Sequence, residues 1–293
     1  MSTPLSTTTA TELTAEQVQK ILVEPLNEAS VFLSCGPKIF DVSGPLRLPK
    51  NKPVNAEGFT WVGENELIPE REFDFGEIQM MPSTMKSLKV ITRFSNELAR
   101  QSIVSIDSVI KSRLVADVAA KLDTQFFSDQ GDGVTTPRGL FAYEGTQNLN
   151  VAGPINTDAL LDAWGLALSA NVNTSSLKWL TTPTDFVALR KLKDKQGRYI
   201  LNADPTADAT FRLFGCPVVI SSRIPDKTTD QATGRAALVD FSQIAVARDL
   251  APSVKLLSER YADYDQQALR VVARYDAHPL NPEAVIVLEG IKR

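Results

Sequence analysis

The sequence predicts an α+β fold, and three features predict it. Between Ser105 and Ser128 apolar residues recur at helical intervals over about six turns. Between Phe59 and Met81 they alternate as strand residues do, around a polar centre. Beyond Leu177 short β-rich runs follow one another, with a helical stretch and turns between them.

Taken in order, residues 1–13 are rich in Ser and Thr and carry almost no core-forming side chains, which predicts a flexible arm. Thr14 and Gln17 form a capping box ahead of Val18, Ile21 and Leu22, so a short helix is expected there, ended by Pro25. From Ser34 to Pro53 prolines and glycines are mixed loosely with apolar residues, the composition of an extended connector rather than a packed element.

The segment FTWVGENELIPEREFDFGEIQMM, residues 59–81, places Phe59 and Trp61 in one alternating run and Phe73, Phe75, Ile78 and Met80 in another. It reads as a long two-stranded hairpin. From Glu57 to Gln79 it holds seven acids (Glu57, Glu64, Glu66, Glu70, Glu72, Asp74, Glu77) against Arg71, a net charge of -6. The whole chain carries only -4, so the remainder sums to +2. A lone ribbon is marginally stable in water, so this one needs another surface to lie on.

Ile106, Ile110, Leu114, Val118, Leu122 and Phe126 then recur every four residues, with Val109, Val115 and Ala119 widening the stripe. At about 1.5 Å per residue such a helix is roughly 35 Å long and can serve as a spine. It ends in a loop built on Gly131, Asp132 and Gly133, closed by Thr136, Pro137, Arg138 and Gly139. A second helix is expected from Asp158 to about Ala170, with Leu160, Leu161, Trp164 and Leu168 on one side. A strand over Leu177–Thr182 leads to a helix capped by Thr184, with Asp185 in its first turn, that ends near Lys193. The turn 194–197 enters Arg198–Leu201, and Val218–Ile220 reads as a buried strand. Further strands are expected at Ala236–Phe241 and Ile244–Ala247, and the tail supplies a pair at Ala268–Tyr275 and Ala284–Glu289. No repeat of fixed period is present.

The composition, 43% hydrophobic and 23% charged over 293 residues, is that of an ordinary globular chain of one large domain or two smaller ones. No run approaches the roughly 18–20 apolar residues of a membrane span, and the N-terminus lacks a secretion signal, so no membrane partner is expected. Cys35 and Cys216 lie far apart without companion ligands and read as buried thiols. The mildly acidic balance disfavours DNA reading yet suits a wall that must not hold phosphates tightly.

No catalytic, cofactor or metal site emerges. The single histidine, His278, lies at a turn without a nucleophile motif beside it. Asp129 with Asp132, and Asp263 with Asp265, do not continue into calcium-loop spacing. GDGVTTPRG lacks the Gly-Lys-Ser/Thr ending of a phosphate loop and follows a helix, not a strand. Trp61, Phe73 and Phe75 could stack on bases, but the carboxylates around them would repel nucleic acid, so packing within the hairpin is expected of them. An enzyme is not expected.

Trp61-Val62-Gly63-Glu64, the long helix with Asp123 near its end, GDGVTTPRGL from Gly131, LKDKQGRYI from Leu192 and FGCPVVISSRIP from Phe214 occur in an order and spacing that resembles the Hong Kong 97-type major capsid proteins of tailed phages. The resemblance spans nearly the whole chain. It implies an N-terminal arm and connector (1–53), an E-loop (54–82), a P-domain with the spine and glycine loop (83–155), an A-domain (156–253) and a tail returning to the P-domain (254–293). It implies a shell of pentamers and hexamers around double-stranded DNA bound without sequence preference, assembled in the host bacterial cytoplasm. A portal protein would be a partner, and a separate scaffold or decoration protein a further one. An encapsulin shell around enzyme cargo is the alternative of the same fold.

Trp61, Glu64, Glu66, Glu70 and Arg71 would make the E-loop contact with a neighbour, and Arg100, Lys111, Arg113 and Lys121 on or beside its spine would receive the acids. Two departures from the larger relatives stand out. Only about 50 residues precede the hairpin, so a cleaved internal scaffold is not expected. Covalent Lys–Asn crosslinks need an E-loop lysine, and none lies between Val54 and Pro82; Lys50, Lys52, Lys86 and Asn281 are displaced from that arrangement. A shell without crosslinks is expected.

Overall fold

The computed structural model describes residues 24–51, 61–64, 75–81, 86–95, 97, 106–193, 196–197, 211–228, 232–249, 253–257 and 260–292. The helix expected from Thr14 falls outside them. The first described helix, α1 (Glu24–Ala29), carries Pro25 in its first turn, so the proline opens a helix there instead of ending one. Its missing N–H is one that no helical carbonyl would have accepted. α2 (Val31–Ser34) follows, with Ser30 as its cap.

The presumed connector is two strands. β1 (Lys38–Val42) runs parallel to β11 (Ile244–Asp249), and β2 (Leu46–Asn51) pairs antiparallel with β3 (Phe75–Met80), from Leu46 opposite Met80 to Asn51 opposite Phe75. The ribbon therefore takes its first strand from upstream of the expected hairpin. Pro49 is tolerated because the two-stranded ribbon leaves each strand an open edge. β4 (Ser87–Ser95) follows, and the spine is α3 (Ile106–Phe126). Leu114, Val115, Val118, Ala119, Leu122 and Phe126 form its buried stripe.

β5 (Gln147–Asn150) leads to α4 (Thr157–Ser169), capped by Asn156. Its buried face is Ala159, Leu160, Ala163 and Ala167, whereas Leu161 and Leu168 are exposed, contrary to the face expected from their spacing. Small alanines let the helix sit close on the sheet, and that close approach decided the face. β6 (Leu177–Thr181) is followed by α5 (Pro183–Arg190). The cap is Thr182, two residues before Thr184, since Pro183 occupies the first helical position. β7 (Arg212–Leu213), β8 (Cys216–Ile220), β9 (Lys227–Thr228), β10 (Ala232–Asp240), β12 (Ser253–Leu257), β13 (Gln266–Pro279) and β14 (Val285–Ile291) complete the order.

One sheet of five strands runs β1-β11-β13-β12, with β4 also on β13. β4 and β12 both pair with residues 268–272 and so flank β13 from opposite edges. The seven-stranded sheet runs β5-β14-β10-β6-β8-β7, with β9 on β10. The two tail strands do not pair with each other. β13 joins the first sheet while β14 pairs with β10 in the second, and both lend residues, Leu269 and Val271 from one and Val285 and Val287 from the other, to the core that holds the spine.

Alternate residues of the larger sheet serve different cores. Leu180, Ala237, Val239, Val285 and Val287 face the spine, and Trp179, Ala236, Leu238, Ile286 and Leu288 face α4. Burial on both sides explains why β10 and β14 read as nearly continuous apolar runs.

Candidate assembly interface

The hairpin leaves the body at a buried clamp. Ile78, Met80 and Met81 are buried against Ala245 and Ala247, with Phe40, Val42, Leu46 and Leu48 around them. Asp276 of β13 accepts hydrogen bonds from the Met81 amide at 3.0 Å, the Ala277 amide at 3.0 Å and Lys86 Nζ at 2.6 Å. The side chains of Lys86 and Asp276 are 6% and 3% exposed. A charge pair so desolvated is tenable only with its remaining lone pairs filled, which the two amides do. It fixes the chain on both sides of residues 82–85. Burial, with the Asp276 charge added, pushes the nearby Tyr143 hydroxyl well above its ordinary pKa. The Tyr143 ring centroid lies 5.9 Å from that of His278, whose Nδ1 is 2.9 Å from the Pro279 carbonyl, so the lone histidine belongs to this structural corner.

Beyond the clamp, Trp61 is wholly exposed at 103% and Glu64 is exposed as well. Glu66, Glu70, Arg71 and, near the spine, Arg100 lie outside the described residues. Lys111 is in α3, but its side chain also falls outside the description. Arg113 is exposed and already engaged with Asp117 one turn on, Nε–Oδ2 3.1 Å. Lys121 is exposed and stands at a cleft between α3, β4 and the glycine loop, lined also by Lys86, Leu88, Gln125, Thr136 and Pro137.

The glycine loop is held from within. Gly131 and Gly133 adopt φ of +126° and +69°, where a side chain would be strained. Asp132 accepts from the amides of Val134 (3.0 Å), Thr135 (2.9 Å) and Thr136 (2.8 Å) and from both threonine hydroxyls. The Thr135 hydroxyl and then the Thr136 amide hold its carboxyl well below the usual range. A Cβ at Gly139 would lie 2.1 Å from the Ser128 carbonyl oxygen, so only glycine fits. Gln125 donates to the Pro137 carbonyl at 2.8 Å, and Arg138 pairs with Glu144 at 2.6 Å. These contacts describe a rigid support for the spine's end. Among the described residues no cluster of three metal-ligating side chains occurs, and no helix is long and apolar enough to cross a membrane.

Three features went unread in the sequence. Asp123, 2% exposed, accepts from Ser30 Oγ at 2.6 Å, the Val31 amide at 2.9 Å and the Phe32 amide at 3.2 Å, bolting α2 to the spine. The Lys86–Asp276 clamp joins residues 190 apart. Strand β4, legible in the alternation of Leu88, Val90, Thr92 and Phe94, turns Lys89 and Arg93 to the opposite, exposed face.

Comparison with known proteins agrees with this architecture. Residues 12–290 match the phage capsid family. The chain is 28% identical over 203 residues to the capsid polyprotein of Pseudomonas phage PAJU2, covering 68% of this chain and 29% of that protein. It is 26% identical over 160 residues to the major capsid protein of Halomonas phage phiHAP-1, covering 54% and 26%. The chain thus spans under a third of the length of the curated relatives it matches. Among solved structures, the capsid of a native GTA particle superposes with a TM-score of 0.72 at 19% identity, covering 88% and 89% of the two chains. A solved structure from Gordonia phage Cozz gives 0.64 at 16%, covering 89% and 86%. The fold is the Hong Kong 97-like capsid fold.

Proposed function

The chain belongs to the phage capsid family, and from that premise we propose that its copies close, through rings of five and six, into an icosahedral shell around a double-stranded DNA genome. The observation that carries this reading is the clamped, acidic hairpin. Lys86 and Asp276 hold its root, while Trp61 and Glu64 are exposed. A large exposed aromatic on a tethered arm is the kind of group that a protein interface buries. Closed shells need one chain to make related contacts in related surroundings, which suits a hairpin reaching onto a neighbour.

In this reading residues 54–82 are the E-loop, and Trp61, Glu64, Glu66, Glu70 and Arg71 meet the adjoining copy. The spine bases Arg100, Lys111, Arg113 and Lys121 contribute cations there, Lys121 more than Arg113, whose charge is shared with Asp117. Residues 156–253, with the α4 side of the larger sheet, would meet around each ring axis. Assembly in the host cytoplasm, a portal at one vertex, and a separate scaffold or decoration protein complete the proposal. The family's role is structural, and an encapsulin shell finds no support among the relatives and structures named above.

Electron microscopy of particles purified from cells expressing the chain, with extraction of their nucleic acid from infected lysates, tests this. Closed shells with five- and six-fold rings and DNA within are expected. A chain that stays monomeric at high concentration would sink the reading.

A further inference from the structure

The glycine loop contains the chain's one Asp–Gly step, Asp132–Gly133, and no Asn–Gly step occurs anywhere. Among aspartates, one followed by glycine is the most prone to isomerise, because glycine has no side chain to obstruct its own nitrogen. The reaction needs no oxidant and no cofactor. The nitrogen of Gly133 uses its electron pair to attack Cγ of Asp132, a C–N bond forms, and the bond from Cγ to its hydroxyl breaks. That hydroxyl leaves with the amide proton as water. Water then opens the resulting cyclic imide at either carbonyl, which returns aspartate or leaves isoaspartate, whose main chain runs through the former side chain and is one methylene longer.

The loop opposes each requirement of that step. The Gly133 amide must be released, yet it donates to the Thr136 carbonyl at 3.1 Å. The carboxyl carbon must come within bonding reach of that nitrogen, yet its oxygens are anchored to residues further on. Oδ1 accepts from the amides of Val134, Thr135 and Thr136 at 3.0, 2.9 and 2.8 Å and from the Thr136 hydroxyl at 3.0 Å, and Oδ2 accepts from the Thr135 hydroxyl. The departing oxygen must carry a proton, yet the Thr135 hydroxyl and then the Thr136 amide keep the group ionised. Arg138, itself paired with Glu144 at 2.6 Å, lies over Gly133, its Nε 3.1 Å from where a Cβ would stand. Asp132 is exposed, so hydrogen bonds protect it where burial does not.

We propose that Asp132–Gly133 is a latent isomerisation site, shut by the hydrogen bonds of its own loop and reactive only when residues 131–139 open. The proposal does not depend on the shell reading. Its rate of modification follows the population of the open loop, a local opening distinct from global unfolding. An isoaspartate would carry its carboxylate away from the three amides and lengthen a loop that has no room beside Gly139, where a Cβ would lie 2.1 Å from the Ser128 carbonyl oxygen. The Gln125 bond to the Pro137 carbonyl, which ties the loop to the spine, depends on the same closed conformation. A loop that has isomerised once cannot close again as before.

The test holds the full chain for several weeks at pH 6, folded in one sample and unfolded in guanidinium chloride in another. Isoaspartate is counted by methylation with a protein-isoaspartate methyltransferase. It is located by electron-transfer fragmentation of the tryptic peptide 122–138, in which Asp123 and Asp129 serve as internal references. In the unfolded chain Asp132 should isomerise about tenfold faster or more than in the folded chain, and faster than both references. Thr135→Val keeps the shape and removes the hydroxyl, so it should raise the folded rate several-fold, and Thr135→Ser should return it to that of the unaltered chain. Urea midpoints establish that each variant is folded. Equal rates in the folded and unfolded chain would overturn the proposal, and so would an unfolded Asp132 no faster than Asp123 and Asp129. A folded Thr135→Val chain that isomerises no faster than the unaltered one would overturn it as well, since the threonine hydroxyl would then not be what shuts the site. If Thr135→Val does not fold, the comparison of the folded with the unfolded unaltered chain still decides.

Discussion

Asp123 joins two pieces of chain far apart in sequence through one buried carboxylate, and its three acceptor contacts are spent on Ser30, Val31 and Phe32. Phe32 then stacks among Phe126, Phe127 and Phe241, with ring centroids 4.8–5.6 Å away. Asp123→Ala strips those donors of their acceptor, each worth about 1–3 kcal/mol when buried, so a loss of about 3 kcal/mol is expected. Urea unfolding of the unassembled chain reads it as a lower midpoint at unchanged slope. Cys35 belongs to the same corner. Burial pushes its thiol up to about 12, opposed by the Lys178 charge and aided by that of Asp123. A raised folded-state value means that the stabilisation is present below the unfolded value of 9.0 and is lost as pH rises from there toward about 12. Thiol reagents at pH 8 should therefore leave Cys35 unmodified until the chain is unfolded, and rapid labelling of the folded chain would show the corner to be open.

Helix α4 makes the distinction between spacing and burial measurable at the scale of an element. Leu160 is fully buried and Leu161 is 45% exposed. Leu160→Ala should cost about 2–5 kcal/mol and Leu161→Ala about 0.5 kcal/mol or less, compared by urea midpoints. Equal losses would mean that the helix is rotated from the orientation described. The spine was easier to read, because six apolar residues at intervals of four outweigh any competing period over its length. Strand β2 was not, since Pro49 lies inside it and its partner β3 begins 24 residues after β2 ends, beyond what local alternation can reveal. The tail strands show the same limit: β13 and β14 are each visible as β-rich runs, but their partners are set by contacts with β4, β12 and β10. Of the interface, the acidity of the hairpin was within reach of sequence; the exposure of Trp61 was not, because its alternation with Phe59 reads as packing within the hairpin. The clamp at its root was not, because Lys86 and Asp276 gain meaning only when 190 residues fold back together. Lys86→Met should leave Asp276 buried without its cation and cost about 3–5 kcal/mol, again read by urea unfolding.

For the whole molecule the geometry bears on how a shell of such chains is held. A covalent Lys–Asn bond between copies requires a lysine that can reach out, and segment 54–82 contains none. Lys86, just past the hairpin, is sealed in its buried pair with Asp276 and so screened from any neighbour. Asn281 is likewise occupied locally, its side-chain oxygen accepting from the Glu283 amide at 3.1 Å in the turn before β14. In the proposed shell cohesion comes from non-covalent contact, of which charge between the acidic segment 57–79 and bases of a neighbouring copy is the part sensitive to ions. Exposed pairs are individually worth about 0–1 kcal/mol, but a shell repeats each many times. Particles boiled in denaturant should therefore run as single chains on a gel, with no ladder of covalent oligomers. Intact particles should also dissociate more readily as salt is raised from about 0.1 M to 1 M, where the screening length falls from about 10 Å to 3 Å. A ladder that survives boiling, or particles indifferent to salt, would mean that bonds other than these close the shell.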